Sequence, residues 1–159
     1  MDKNLVRAVA LATQTVFQDL IGWEMHVDGI TTNKDSPDGN AELNAIISFK
    51  GAMSGAFVLH CSEPLSAAIA SEMLGLTCKE GSADAKDAIG ELLNMIVGGV
   101  KNHYQSQRDP FKISVPTIVT GTDFSVHVKV KSEDEITSFG FQHVGGGEYV
   151  GLRLMLVSE

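Results

Sequence analysis

The spacing of hydrophobic residues changes from helical to alternating twice along this chain, and this order limits the folds open to it. An apolar stripe at helical spacing covers residues 5–20, and Gly22 is well suited to end the helix. Strand-like stretches follow at 23–32 and 41–60, separated by the polar segment 33–40. Residues 41–60 have the pattern of a hairpin, which contains two strands. The first third of the chain therefore predicts one helix followed by three strands.

The second change of spacing predicts two more helices and then a second group of strands. Ser62 is a suitable N-cap for a helix that ends near Gly75, and a longer helix follows at about 84–105. Four strands are predicted after it: 115–120, 124–131, 136–143 and 149–157. Consecutive hairpins with segregated helices predict an α+β fold, in which helices pack on a largely antiparallel β-sheet.

Length and charge exclude several classes of function. The 159 residues predict a single domain, 1–159. Twelve Lys and Arg against 20 Asp and Glu give a net charge of −8, which argues against nucleic-acid binding and against a basic membrane-surface module. No apolar run is long enough to span a bilayer, and residues 8–12 are too short for the core of a secretory signal. We therefore expect a cytoplasmic protein.

The cysteines and histidines do not predict a metal or nucleophile site. Cys61 and Cys78 have no paired spacing, and none of the five histidines has a Cys or carboxylate at ligand spacing. His60 and Cys61 are adjacent in a predicted strand, so their side chains point to opposite faces and His60 is poorly placed to activate the thiol. Gly145-Gly146-Gly147 lies between two strands, which predicts a hairpin turn rather than a phosphate-binding loop.

The helix at 84–105 carries the one pattern that points to chemistry. One broad apolar face must pack on the sheet, and its residues are Ala85, Ile89, Leu92, Leu93, Ile96 and Val100. The opposite positions step by three or four residues and form one exposed ridge: Asp84, Asp87, Glu91, Asn94, Gly98 and Lys101.

Two features of this ridge are unusual for a helix that only supports the fold. Asn94 is a mediocre helix former, and Gly98-Gly99 costs about 1 kcal/mol per Gly relative to Ala. The missing side chain of Gly98 would let a partner's backbone approach closely. Glu91 and Asn94 would stand side by side next to that flat patch, so a carboxylate and a neutral amide could act on one target together.

These residues resemble the signature of the CheX/CheC/FliY phosphatases. The matching pattern is Asp87-x-x-x-Glu91-x-x-Asn94, followed by Gly98 and later by Pro116 at the entry to a strand. Together with the order of elements, the resemblance spans roughly residues 1–157. Relatives with a second copy of the motif carry it on the N-terminal helix, but residues 9–18 here contain no Glu-x-x-Asn pair, so the single-motif CheX type is the better match.

The resemblance implies a CheC/CheX-like fold and a phosphatase acting on the aspartyl phosphate of a CheY-like receiver domain. Asn94 would hold the attacking water and Glu91 would contact the receiver, through its active-site lysine. Asp87 and Gly98 would bind the partner. The Mg²⁺ would belong to the receiver, so this chain would bind no cofactor, and CheX-type proteins can form homodimers.

Other interpretations of the same residues stay open at the level of sequence. Glu91 and Asn94 could line a solvated helix face, and Asp87 could simply favour the helix dipole. Pro116 is most simply a residue that starts a strand. The chain could also be a non-catalytic module that binds a receiver or a flagellar component, or a ligand-sensing or structural dimerisation domain.

Overall fold

The computed structural model describes residues 1–32, 42–104, 111–121, 129–130, 132 and 135–157. Within them lie three helices: α1 (Lys3–Ile21), α2 (Glu63–Leu74) and α3 (Ala83–His103). The strands are β1 (Met25–Thr31), β2 (Leu43–Lys50), β3 (Gly55–Cys61), β4 (Lys112–Ile113), β5 (Thr117–Thr120), β6 (Ile136–His143) and β7 (Tyr149–Leu156).

The described strands form one antiparallel sheet in the order β1-β6-β7-β3-β2-β4. β5 also pairs with β2, so β4 and β5 follow each other along the same edge of that strand. Residues Leu43 to Ile46 of β2 pair with β5, and Phe49 and Lys50 pair with β4. β4 and β5 are the next described elements after α3, and Ile118 on β5 lies close to that helix.

The helices cover one face of the sheet and enclose the main core. Alternate residues of the central strands point into it, for example Ile47 on β2, Leu59 on β3 and Leu152 on β7, all fully buried. The other face carries a smaller apolar cluster of Ala56, Val58, Ile136 and Met155. This arrangement confirms the predicted α+β fold, with helices packed on an antiparallel sheet.

The helix ends lie within about two residues of their predicted positions, because local capping chemistry sets them. Ser62 and Ser82 precede α2 and α3, and each hydroxyl accepts the third following backbone N–H at 3.2 Å. Gly22 and Gly75 follow α1 and α2 in the left-handed conformation, with φ of 69° and 67°. No helix in these described ranges is long and apolar enough to cross a membrane.

The strand predictions are partly confirmed. β2, β3, β6 and β7 follow the alternating patterns within one or two residues. β4 was not predicted, because two residues are too few to show alternation. Lys129 and Val130, from the predicted strand 124–131, are not in a strand, and the rest of that stretch lies outside the described residues. The predicted loop 33–40 also lies outside them.

Candidate functional site

Helix α3 separates its apolar and polar residues as the sequence predicted. All six residues of the predicted apolar face are fully buried: Ala85, Ile89, Leu92, Leu93, Ile96 and Val100. None of the six ridge residues is buried. Asp84, Asp87 and Glu91 are exposed, and Asn94, Gly98 and Lys101 are partly exposed. The ridge therefore faces solvent along the full length of the helix.

Two close contacts hold α3 from opposite sides. A methyl group on Gly90 would lie 3.2 Å from the Cγ atom of Pro116, at the sheet edge. A methyl group on Gly99 would lie 3.1 Å from the Cβ atom of Ala12, on α1. The two glycines are nine positions apart, and at about 100° per residue they point about 180° apart. The ridge is therefore the outward face between α1 on one flank and the β4–β5 edge on the other.

Glu91 and Asn94 lie next to each other on this ridge and face solvent. Three residues apart on a helix, their Cβ atoms lie about 5–6 Å from each other. Within the described residues, neither side chain has a hydrogen bond or an ion pair with another protein group. An ionised carboxylate accepts hydrogen bonds, and a carboxamide both donates and accepts them. The pair can therefore bind a cation and orient a neutral molecule side by side.

The two adjacent glycines of α3 have different surroundings. Gly99 meets α1, which gives it a packing role. Gly98 has no heavy atom within 4 Å of the position that a Cβ would take, so nothing in the described fold requires glycine there. The flat patch beyond Asn94 is therefore open to solvent, which leaves room for the close approach of a partner's backbone that the sequence suggested at Gly98.

The contact of Pro116 with helix α3 could not be predicted from the sequence. As expected of a residue that starts a strand, Pro116 directly precedes β5. In the structure its ring also packs against Gly90. The Ile118 Cδ1 atom lies 3.5 Å from the position that a Cβ atom would take on that glycine. Gly90 is buried and adjacent to Glu91, so this contact fixes the helix next to the candidate site. A lone glycine on a buried helix face, with a proline far downstream, was the only signal.

The buried pair His60 and Cys61 does not form a nucleophile site. Burial raises the pKa of the Cys61 thiol to about 12, so the sulfur stays protonated at neutral pH. Burial lowers the pKa of His60 to about 4, which keeps its ring neutral. The two residues alternate along β3, with Cys61 in the main core and His60 on the other face beside Gly151.

No group of His, Cys, Asp and Glu side chains in the described portion of the chain could hold a metal ion. His143 instead stacks on Trp23, with ring centroids 4.5 Å apart, and its Nδ1 lies 2.8 Å from Glu148 Oε2. These contacts give that histidine a structural role.

A family profile described as chemotaxis phosphatase CheX matches residues 43–140. The chain belongs to the CheX family. The matched range contains α3 with all four ridge positions of the motif, Asp87, Glu91, Asn94 and Gly98, and also Pro116. No curated protein sequence matches the chain significantly.

Solved structures of CheX and CheC-like proteins share the fold over almost the whole chain. CheX from Vibrio vulnificus is 20% identical with a TM-score of 0.82, covering 96% of this chain and 98% of that one. A CheC-like superfamily protein from Shewanella is 19% identical with a TM-score of 0.83, covering 99% and 100%. The CheX–CheY–BeF₃–Mg²⁺ complex from Borrelia burgdorferi is 14% identical with a TM-score of 0.78, covering 96% and 97%.

Proposed function

We propose that this chain is a phosphatase that hydrolyses the aspartyl phosphate of a CheY-like receiver domain. The observation that carries the proposal is the solvent-facing pair of Glu91 and the partly exposed Asn94. Neither side chain has a partner within the described fold, and the pair stands next to the open position Gly98. Membership of a family of chemotaxis phosphatases supports it. A similar fold in complex with CheY and Mg²⁺ supports the kind of partner.

Asn94 enters the receiver's phosphorylation site and holds a water molecule in line with the phosphorus atom. The water oxygen forms a new bond to phosphorus while the bond from phosphorus to the aspartyl oxygen breaks. The products are a free aspartate carboxylate on the receiver and inorganic phosphate, which takes both protons of the water. Orienting the water is a sufficient contribution, because holding two reactants in line removes much of the entropic barrier.

Glu91 anchors the complex by contacting the receiver's active-site lysine. An ion pair of this kind gains strength when docking removes water from both groups. The receiver would hold the Mg²⁺, which would neutralise charge on the phosphoryl group. Asp87 and Gly98 extend the contact, the first by its charge and the second by allowing close approach.

The test is the lifetime of phosphorylated receivers from the same cell, measured with and without this protein. We expect acceleration with at least one receiver, and loss of that acceleration with Asn94→Ala. Asn102→Ala is the matched control, because Asn102 is an exposed asparagine on the same helix, eight residues further on. Saturable binding with an unchanged phosphate lifetime would replace the proposal with that of a non-catalytic binding module.

The proposal extends to assembly and location. Residues 1–159 act as a single domain, the chain forms a homodimer, and it works in the cytoplasm. Light scattering tests the dimer directly, since the 17.0 kDa chain would give twice that mass. A mass of one chain at the concentration of the phosphatase assay would contradict the dimer without affecting the chemistry.

A further inference from the structure

The sheet edge beside the candidate site contains an irregularity in register. Ile113 pairs with Phe49, and Thr117 pairs with Ile46. Four steps along the β4–β5 segment therefore correspond to three steps along β2. One residue is extra, so Val115 and Pro116 together oppose Ile47, which is the arrangement of a β-bulge. Proline fits such a position because it has no backbone N–H to pair.

The pairing on either side of the bulge indicates the face on which the side chain of Val115 lies. Ile113 and Ile118 lie on the helix-covered face, because their partners Phe49 and Ala45 belong to the main core. Ser114 and Thr117 lie on the other face. The two residues between them oppose Ile47, whose side chain lies in the main core, so the bulge is expected to direct both toward the side of α3. The contact with Gly90 shows this orientation for Pro116.

Val115 is 82% exposed, and hydrogen bonds order the backbone next to it. The Ser114 backbone N–H donates to the Ser48 carbonyl at 2.8 Å, and the Ser114 hydroxyl accepts the Ser48 N–H at 3.0 Å. That hydroxyl also donates to the Val115 carbonyl at 3.0 Å. On the other side, the Pro116 ring rests on Gly90. An apolar, β-branched side chain on an ordered backbone loses little conformational freedom when a partner covers it.

The position of Val115 identifies which partner would cover its side chain. Pro116, the next residue, touches the helix at Gly90, and Asn94 is one helical turn beyond, about 6 Å along the axis. A protein that inserts Asn94 into its own pocket must therefore also approach the flank where Val115 stands. The ridge itself offers mainly acidic and small residues, which orient a partner but bury little apolar surface.

We propose that Val115 is an apolar contact for the receiver that docks on the ridge, and that it contributes to affinity and partner choice rather than to the chemical step. This inference rests on the proposed function. The receiver that fits carries an apolar side chain next to its phosphorylation site, at the position that the bulge reaches.

The test compares Val115→Asp with the wild-type protein in two measurements on the receiver found in the phosphate-lifetime screen. Calorimetric titration with the receiver carrying beryllofluoride, which replaces the phosphoryl group, gives the affinity. Phosphate release at saturating protein concentration gives the rate of the chemical step. We expect the dissociation constant to rise roughly tenfold, since a valine that the complex would cover is replaced by a charge. The saturating rate should not change, and Val115→Ile should restore the affinity.

Val144→Asp is the matched control, because Val144 is a valine that is 60% exposed in the β6–β7 turn. β6 lies four strand positions from β5, about 19 Å across the sheet. Wild-type affinity in Val115→Asp, or a loss confined to the saturating rate, would overturn the role of Val115 while the effect of Asn94→Ala kept the proposed function intact. A wild-type protein that accelerates no receiver would overturn both.

Discussion

At the scale of single residues, the candidate site depends on the chemical difference between Glu91 and Asn94. The neutral amide can hold water near a phosphoryl group without repelling it, whereas the carboxylate is suited to a lysine. Both side chains face solvent on one side of the helix, so their different chemistry separates their expected roles in rate and in affinity.

Glu91→Gln preserves the size of the side chain and removes its charge. We expect receiver affinity to fall several-fold, because a hydrogen bond to a charged group contributes about 1.5–3 kcal/mol and a neutral amide about half of that or less. The affinity of the variant should also depend less on salt than that of the wild type. Titrations of the beryllofluoride-activated receiver at two ionic strengths measure both effects.

Glu72→Gln serves as the control for Glu91, since Glu72 is an exposed glutamate on α2. Equal affinity and equal salt dependence of Glu91→Gln and wild type would mean that Glu91 does not contact a cation on the partner.

At the scale of elements, α3 explains why two neighbouring glycines have different uses. Gly99 packs on Ala12, and Gly98 faces open space. The sequence showed that the pair was costly for a helix, and it placed Gly98 on the ridge. It could not show that Gly99 serves helix packing, because Ala12 is far away in the chain and its contact exists only in the folded protein.

Gly98→Ala should therefore stabilise the protein and impair docking. The new methyl group meets no atom within 4 Å, and alanine in place of glycine favours the helix by about 0.5–1 kcal/mol. The same methyl group occupies the clearance beside Asn94, so receiver affinity should fall. Urea denaturation and receiver titration measure the two effects.

Gly99→Ala is the paired variant, in which the methyl group would lie 3.1 Å from the Ala12 Cβ atom and the helices would have to shift. We expect it to gain less stability than Gly98→Ala, or to lose stability. Unchanged receiver affinity in Gly98→Ala would show that the partner needs no clearance at this position.

At the scale of the whole molecule, local patterns predicted the helices and the inner strands, and pairing across the sheet determined the rest. The spacing of hydrophobic residues is sufficient for α1, α3 and β2, because each has one face in the core. The bulge at Val115 and Pro116 could not be predicted, since it exists only as a mismatch between Ile113 and Thr117 against β2. The helical spacing within one segment was sufficient to predict the ridge. It could not predict the contacts of α3 with Ala12 and Pro116 on either side of the ridge.

The stability of the whole fold should depend on pH through His60, which is only 6% exposed. Burial lowers its pKa to about 4 from 6.5, so between these values the unfolded chain binds a proton that the folded chain excludes. The contribution of His60 is therefore complete above pH 6.5 and declines as the pH falls toward 4. The total loss is about 3 kcal/mol in the free energy of unfolding.

Urea denaturation of wild type and His60→Gln at pH 7, 6 and 5 measures this dependence. We expect a shallower decline with falling pH in the variant, and a wild-type decline in His26→Gln, which changes an exposed histidine. Parallel curves for wild type and His60→Gln would show that the buried ring does not govern the acid sensitivity of the fold.

The central claim is that Asn94 accelerates the loss of phosphate from a bound receiver, and a single-turnover experiment tests it most directly. Phosphorylated receiver is mixed with excess protein at a concentration that saturates binding, and inorganic phosphate is followed with time. For Asn94→Ala we predict binding equal to that of wild type, and phosphate loss at the receiver's own unassisted rate. Wild-type acceleration by the bound Asn94→Ala variant would contradict the account.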